Sequence, residues 1–437
     1  MVFLKDTILN KLQSNPVAQQ MLQFGNNIGN LFPNEEALCM ASAFMQDKQT
    51  RIVVKKNRYE AQQLYQRLKP LINDTLLFVM EESLRVQAIA SSPEDKQEQL
   101  YVLTQLVKED KPRIIICNTA AFLRYLPDKE LFKSLCFKFE VDQEITIAEL
   151  KQKLNRAGYT KVNYVDRPCT YASRGGIVDV YCLEYEHPIR IEFFDTVIES
   201  IRLFHEETQR TIQTIDSVLI NPATDLLFTD DQIEYLQKEI DSELEKQQAK
   251  LIQDDYDFLL DYIEKDKISI ENYDIDPHLY IYFSYLNANK LTDYVNGHII
   301  FSSQEEVESG YKKLNEETIS FIQEMVESHQ YLPKYGMFHD IFTFEKEHTI
   351  QMFHDFLDFK HPISSKIETI EKSDQPLIQI LENLKGENIY ISLDEEHTKK
   401  VQEALKAYSI HRNITFIEDD FYEGFTYEDI SVYTQQE

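Results

Sequence analysis

Glycine is scarce in this chain: ten in 437 residues, about a third of the ordinary ~7% usage. The residues immediately after them are Asn, Asn, Tyr, Gly, Ile, His, Tyr, Met, Glu and Phe, so no Gly-Lys pair exists. A phosphate-cradling G-x-x-x-x-G-K-[ST] loop is thereby excluded, and G-x-G-x-x-G is absent as well. Tryptophan is missing, and the five cysteines (Cys39, Cys117, Cys136, Cys169, Cys182) include no C-x-x-C, which argues against a disulfide framework or a zinc ribbon and for a reducing compartment. No apolar run reaches the ~18 residues of a membrane span, and Lys5 and Asp6 interrupt the apolar start of a signal peptide. A cytoplasmic location is expected.

What the chain has in excess is negative charge, −30 in all, and it is unevenly placed. Residues 1–150 sum to −1, residues 151–212 to 0 and residues 213–437 to −29. Carboxylates repel a nucleic-acid backbone, so the C-terminal half is a poor DNA surface and reads as a solvated face.

The first ~125 residues have the grammar of βαβαβ. Arg51 to Lys56, Thr75 to Met80 and Arg113 to Cys117 are short apolar runs, separated by helical spacing through Tyr59, Leu64 and Leu68 and through Leu100, Leu103 and Leu106. Ser92-Pro93-Glu94 reads as the start of the second helix. This alternation implies a parallel sheet, with a ligand edge at Lys55/Lys56, Glu81/Glu82 and Asn118/Thr119. Where a nucleotide site would want Gly-Lys-Thr, the segment Phe24 to Glu36 offers Pro33, Glu35 and Glu36.

The expected fold is α/β: a degenerate helicase-like parallel-sheet domain (1–125), an inserted α+β domain (126–212), an acidic helical second part (213–352) and a small C-terminal α/β domain (353–437). Thr146-Ile-Ala-Glu149 is a capping box whose helix stops at Gly158; strands are expected over Lys161 to Val165, Gly176 to Leu183, Ile189 to Phe194 and Ile198 to Phe204. A second capping box, Thr229 to Gln232, opens a long acidic amphipathic stretch to about Lys267, and Glu305 to Ser328 is helical.

The single Gly-Gly pair, Gly175-Gly176 after Arg174, marks a bulge or tight bend. Alternation over Ile189 to Phe194 puts Arg190, Glu192 and Phe194 on one face, either as a protein-binding hot spot or as an ordinary cross-strand Arg–Glu pair. His354, Asp358 and His361 share one helical face, but Pro362 comes next and no fourth ligand is evident, so a solvated helix end is the reading and no metal or other cofactor is expected.

Arg174-Gly-Gly-Ile-Val-Asp-Val, Pro188-Ile-Arg-Ile-Glu-Phe-Phe-Asp195, Ile198-Glu-Ser-Ile-Arg202 and Thr208-Gln-Arg-Thr211 resemble, in order and spacing, the signature shared by UvrB and the N-terminal part of the bacterial transcription-repair coupling factors, Mfd. The likeness covers residues 1–350 well and the tail weakly. It implies a non-enzymatic, UvrB-like module that recruits UvrA in nucleotide excision repair through the insert. Arg174, Arg190 and Phe194 are the implied contact residues, with Arg202 a fourth. RNA polymerase and duplex DNA are implied partners of other parts of a full-length parent, whose C-terminal part masks this surface. The alternative is a nucleotide-hydrolysing helicase-like or DNA-binding domain. Two departures stand out: Cys169-Thr-Tyr171 replaces the family's Gly-Glu-Phe, and Ile299 to Gln304 replaces an Asp- and Pro-containing strand end.

Overall fold

The computed structural model describes residues 4–23, 28–29, 31–82, 93–274, 276–354, 363–410, 412–418 and 421–436. Its centre is a six-stranded, all-parallel sheet in the order Ile28–Gly29, Ile350–His354, His298–Phe301, Arg51–Lys55, Ile114–Asn118, Thr75–Phe78. The β-branched runs form it because both faces are covered. Ile52, Val54, Ile115, Cys117 and Phe301 face one core, while Val53, Ile114, Ile116 and Ile300 face the other. The helices expected between the strands run Arg58–Leu68 and Pro93–Lys108. Ser92 lies outside the described residues.

The insert is entered and left through one antiparallel ribbon, Phe137–Glu140 against Ser217–Ile220, so it runs past residue 212. The helix Ile147–Arg156 starts on the Thr146/Glu149 capping box, with Glu149 N–H donating to Thr146 Oγ1 at 3.1 Å and Thr146 N–H to Glu149 Oε2 at 2.9 Å. Gly158 lies just beyond it at φ 81°, which suits glycine. The helix packs Leu150 and Leu154 under a six-stranded sheet that carries the candidate site. Its strands are β1 Thr160–Lys161, β2 Thr170–Arg174, β3 Ile177–Tyr181, β4 Ile189–Phe194, β5 Val197–Phe204 and β6 Thr211–Ile215, in the spatial order β6-β5-β4-β3-β2-β1. The strand expected over Lys161 to Val165 ends at Lys161, and residues 162–169 form neither strand nor helix.

The acidic stretch is two helices, Asp230–Gln248 and Gln253–Glu271, which build a separate core with the 3-10 segment Pro277–Tyr285 and the long helix Gln304–Glu327. In the tail, a five-stranded sheet orders Glu368–Thr369, Phe425–Tyr427, Ile430–Tyr433, Asn388–Ser392 and Ile414–Ile417, and Phe425, Ile430 and Val432 join the core on one face of the central sheet. The α/β class with an inserted α+β domain and a small C-terminal α/β domain is therefore what the chain adopts. Among the described residues no helix is long and apolar enough to cross a membrane.

Candidate protein-docking site

Two places in the fold could carry function: the ligand edge of the parallel sheet and the outer face of the insert. At the edge, the helix Pro33–Asp47 points its N-terminus at the ends of the strands, where an anion would be favoured. Glu36 already occupies the position. Its carboxylate, 2% exposed, takes Lys55 Nζ at 2.5 Å and the Ser302 hydroxyl at 2.8 Å, and Lys55 also donates to Ser302. Lys56 is drawn to Glu306 (2.6 Å) and Glu60 (3.1 Å). Asn118 is spent on holding Met80 and capping the helix Thr119–Leu123. The Lys and Ser groups that could meet a phosphate are thus neutralised internally, through residues of the two segments whose sequences depart from a nucleotide site. Of the helical face expected through His354, Asp358 and His361, the last two lie outside the described residues and His354 ends a strand instead; among the described residues no His/Cys/Asp/Glu group is arranged to hold a metal.

On the insert, alternation decides the faces. Ile189, Ile191 and Phe193 are buried against the helix, and Arg190, Glu192 and Phe194 face outward, as expected. Phe194 is 74% exposed. It pairs with Val197 at the tip of the β4–β5 hairpin, whose two-residue turn sets Asp195 at φ 57°. Arg174 pairs with Ile177 at the tip of the β2–β3 hairpin, closed by Gly175-Gly176. Gly175 needs glycine for its φ of 58°, the pattern of a II′ turn; a Cβ on Gly176 would press on the Phe193 carbonyl oxygen at 3.0 Å. The glycine pair therefore brings Arg174 and Phe194 to the same free end of the sheet.

The two strand arginines are more tied down than their spacing implies. Arg190 stands directly opposite Asp179 and grips it bidentately, Nε to Oδ1 at 2.7 Å and Nη2 to Oδ2 at 2.8 Å. Its guanidinium lies 4.3 Å from the centroid of the Phe204 ring, Nη2 also donates to Gln209 Oε1 at 2.7 Å, and the side chain is only 18% exposed. The Asp179 contact outweighs burial and raises the Arg190 pKa. Arg202 is the direct cross-strand neighbour of Arg190 and is held by Glu192, which also accepts from Ser200 at 2.9 Å. The Glu on β4 therefore serves Arg202, not Arg190. Arg174 donates Nη2 to the Asn163 carbonyl. All four candidate residues share one face, on the three strands β2, β4 and β5, a span on the order of 15 Å at ~4.8 Å per strand.

Sequence reasoning missed Asp179, Gln209 and Tyr164. Asp179 was legible in principle, since it alternates with Ile177 on the outward face of its strand. Gln209 was not, because it acts from a turn at φ 60°. A third feature is Cys169. Its N–H and the paired Thr170 both address Tyr181, which makes it the extra residue of a bulge, at φ 62°. Glycine suits that conformation, so a cysteine at this position strains the backbone beside β2.

Residues 137–226 match the family described as UvrB interaction domain. Over 402 residues the chain is 28% identical to the transcription-repair-coupling factor of Bacillus subtilis (strain 168), covering 86% of this chain and 34% of the relative. Over 305 residues it is 28% identical to that of Staphylococcus haemolyticus (strain JCSC1435) and 27% to that of Staphylococcus epidermidis (strain ATCC 35984), each covering 68% of this chain and 26% of the relative. The chain spans about a third or less of the length of these curated relatives. By these matches the chain is similar to the N-terminal part of the transcription-repair-coupling factors, and its residues 137–226 are similar to the UvrB interaction domain.

Proposed function

We propose that the chain is a non-catalytic recruitment module of transcription-coupled nucleotide excision repair, which docks UvrA on the outer face of the insert sheet. The observation that carries this reading is that a three-quarters exposed Phe194 and an exposed Arg174 stand at the same end of one sheet, within the residues that match the UvrB interaction domain. Exposed aromatic and Arg side chains on a fixed frame are what interface hot spots are made of. Arg202 and Arg190 complete the face, each already held by a carboxylate, so they are oriented before a partner arrives. RNA polymerase and duplex DNA are engaged by other parts of a full-length factor, and the module itself turns over no nucleotide, in keeping with Glu36 filling the site beside Lys55.

The test is co-purification with UvrA. The pair Arg174→Ala and Phe194→Ala removes contact groups that support little of the fold, so binding should be lost while thermal stability stays within about 1–2 °C of wild type. Wild-type affinity in that double variant overturns the assignment. The rival reading, direct DNA binding, predicts a steeply salt-dependent association with duplex DNA.

A further inference from the structure

We propose that the segment Val162–Pro168 is a gate over this docking face, latched by Tyr164 and Gln209, and that partner binding at Arg190 requires it to open; the inference rests on the docking reading above. The segment leaves the sheet at its β1 edge, where Val162 N–H donates to the Tyr171 carbonyl at 2.8 Å. It then reaches across the outer face. The Asn163 carbonyl receives Arg174, and Tyr164 reaches the β5–β6 turn, donating its hydroxyl to the Glu206 carbonyl and accepting from Gln209 Nε2 at 2.6 Å. The segment returns to β2 with the Arg167 carbonyl receiving the Thr170 hydroxyl at 2.6 Å. Val165 is 2% exposed, and Ala172 and Phe204 are buried, although all three lie outside the core behind the sheet. That end of the outer face is therefore covered by the protein's own chain.

The consequence is a shortage of donors. A carboxylate gripping Arg190 end-on needs one hydrogen from each terminal nitrogen. Nη1 makes no hydrogen bond among the described residues, but Nη2 commits one hydrogen to Asp179 and the other to Gln209. Only by releasing Gln209 can Arg190 offer a second bidentate grip, and Gln209 Nε2 is held by the Tyr164 hydroxyl (2.6 Å) together with the Glu206 carbonyl (2.7 Å). The latch is a local one: Gln209 sits at φ 60°, a conformation that costs a non-glycine residue free energy, and residues 162–168 contribute no strand or helix.

The experiment uses the full chain and a UvrA titration with wild type and Tyr164→Phe, which deletes the latching hydroxyl and keeps the ring. Opening should become easier, so affinity for UvrA should rise about fivefold, and amide exchange over 162–168 in the free chain should accelerate. Gln209→Gly should move both readings the same way. Wild-type or weaker affinity in Tyr164→Phe, with wild type binding, removes the gate and leaves the docking site standing. Absence of binding by wild type itself removes the docking reading, and the gate with it.

Discussion

Arg124, ahead of the ribbon that opens the insert sheet, and Asp225, shortly past the ribbon that closes it, meet at 2.5 Å with both side chains about nine-tenths buried. Arg124 also donates to Gln99, which in turn donates to the Val79 carbonyl at 2.7 Å, and its guanidinium lies 5.6 Å from the centroid of the Tyr280 ring. The parallel sheet, the insert and the helical lobe are thus joined through one ion pair. Removing one member of a buried pair leaves an uncompensated charge, so Asp225→Ala should cost about 3–5 kcal/mol. Replacing both, Arg124→Met with Asp225→Leu, should recover most of the loss. Urea unfolding checks this, and equal instability in the single and double variants would count against a paired joint.

Cys169 supplies a prediction of opposite sign. A side chain at φ 62° costs about 1–2 kcal/mol relative to glycine, while its partial burial returns only part of that. Cys169→Gly should therefore stabilise the protein by roughly 0.5–1 kcal/mol, read as a higher denaturant midpoint at unchanged slope. A lower midpoint would mean that the thiol's packing outweighs the backbone strain.

How much of this was legible depended on how local the determinant was. The central strands announced themselves because Ile52-Val-Val54 and Ile114-Ile-Ile116 are buried on both faces, and the outward set Arg190, Glu192, Phe194 can be read from alternation alone. The ribbon of Phe137–Glu140 with Ser217–Ile220 joins residues about eighty apart, and no pattern within either strand encodes its partner. The acidic helices ran together in the sequence because the break between Gln248 and Gln253 contains neither Pro nor Gly. The gate was hidden for a similar reason: Lys161-Val-Asn-Tyr-Val165 alternates like a strand, but only Lys161 pairs in the ladder, and after one hydrogen bond from Val162 to Tyr171 the chain leaves the sheet. The candidate residues were visible individually; that Asp179 holds Arg190 and Glu192 holds Arg202 depends on register, which appears only once the strands are paired.

The hairpin tip separates folding from docking. Gly175 has open space where a Cβ would go but a φ of 58°, so Gly175→Ala should cost about 1–2 kcal/mol of stability through the backbone alone. Phe194→Ala, on a side chain mostly in solvent, should change stability by less than about 0.5 kcal/mol and still abolish UvrA capture. A stability loss for Phe194→Ala comparable to that of Gly175→Ala would mean that the ring is structural.

The helical lobe should respond to pH through His278. Burial works against its charge, but hydrogen bonds to Asp266 (2.8 Å) and Asp276 (3.0 Å) prevail and raise its pKa to about 9, from 6.5. Asp266, itself buried, is also held by the Tyr282 hydroxyl at 2.7 Å, so the cluster ties the helix Gln253–Glu271 to the 3-10 segment. A proton held more tightly in the folded state stabilises that state fully below pH ~6.5, progressively less as pH rises, and not at all above ~9. The shift corresponds to a contribution on the order of 3 kcal/mol. Burial opposes the charge of Asp276 as well, but His278 pulls its carboxyl below the usual range, so Asp276 sets the opposite limit and loses its contribution as pH falls through the carboxylate range. Amide exchange over residues 253–285 should therefore be slower, after correction for intrinsic rates, at pH 6 than at pH 9.5, and His278→Gln should remove that difference; an unchanged pH dependence in the variant would place the titrating group elsewhere.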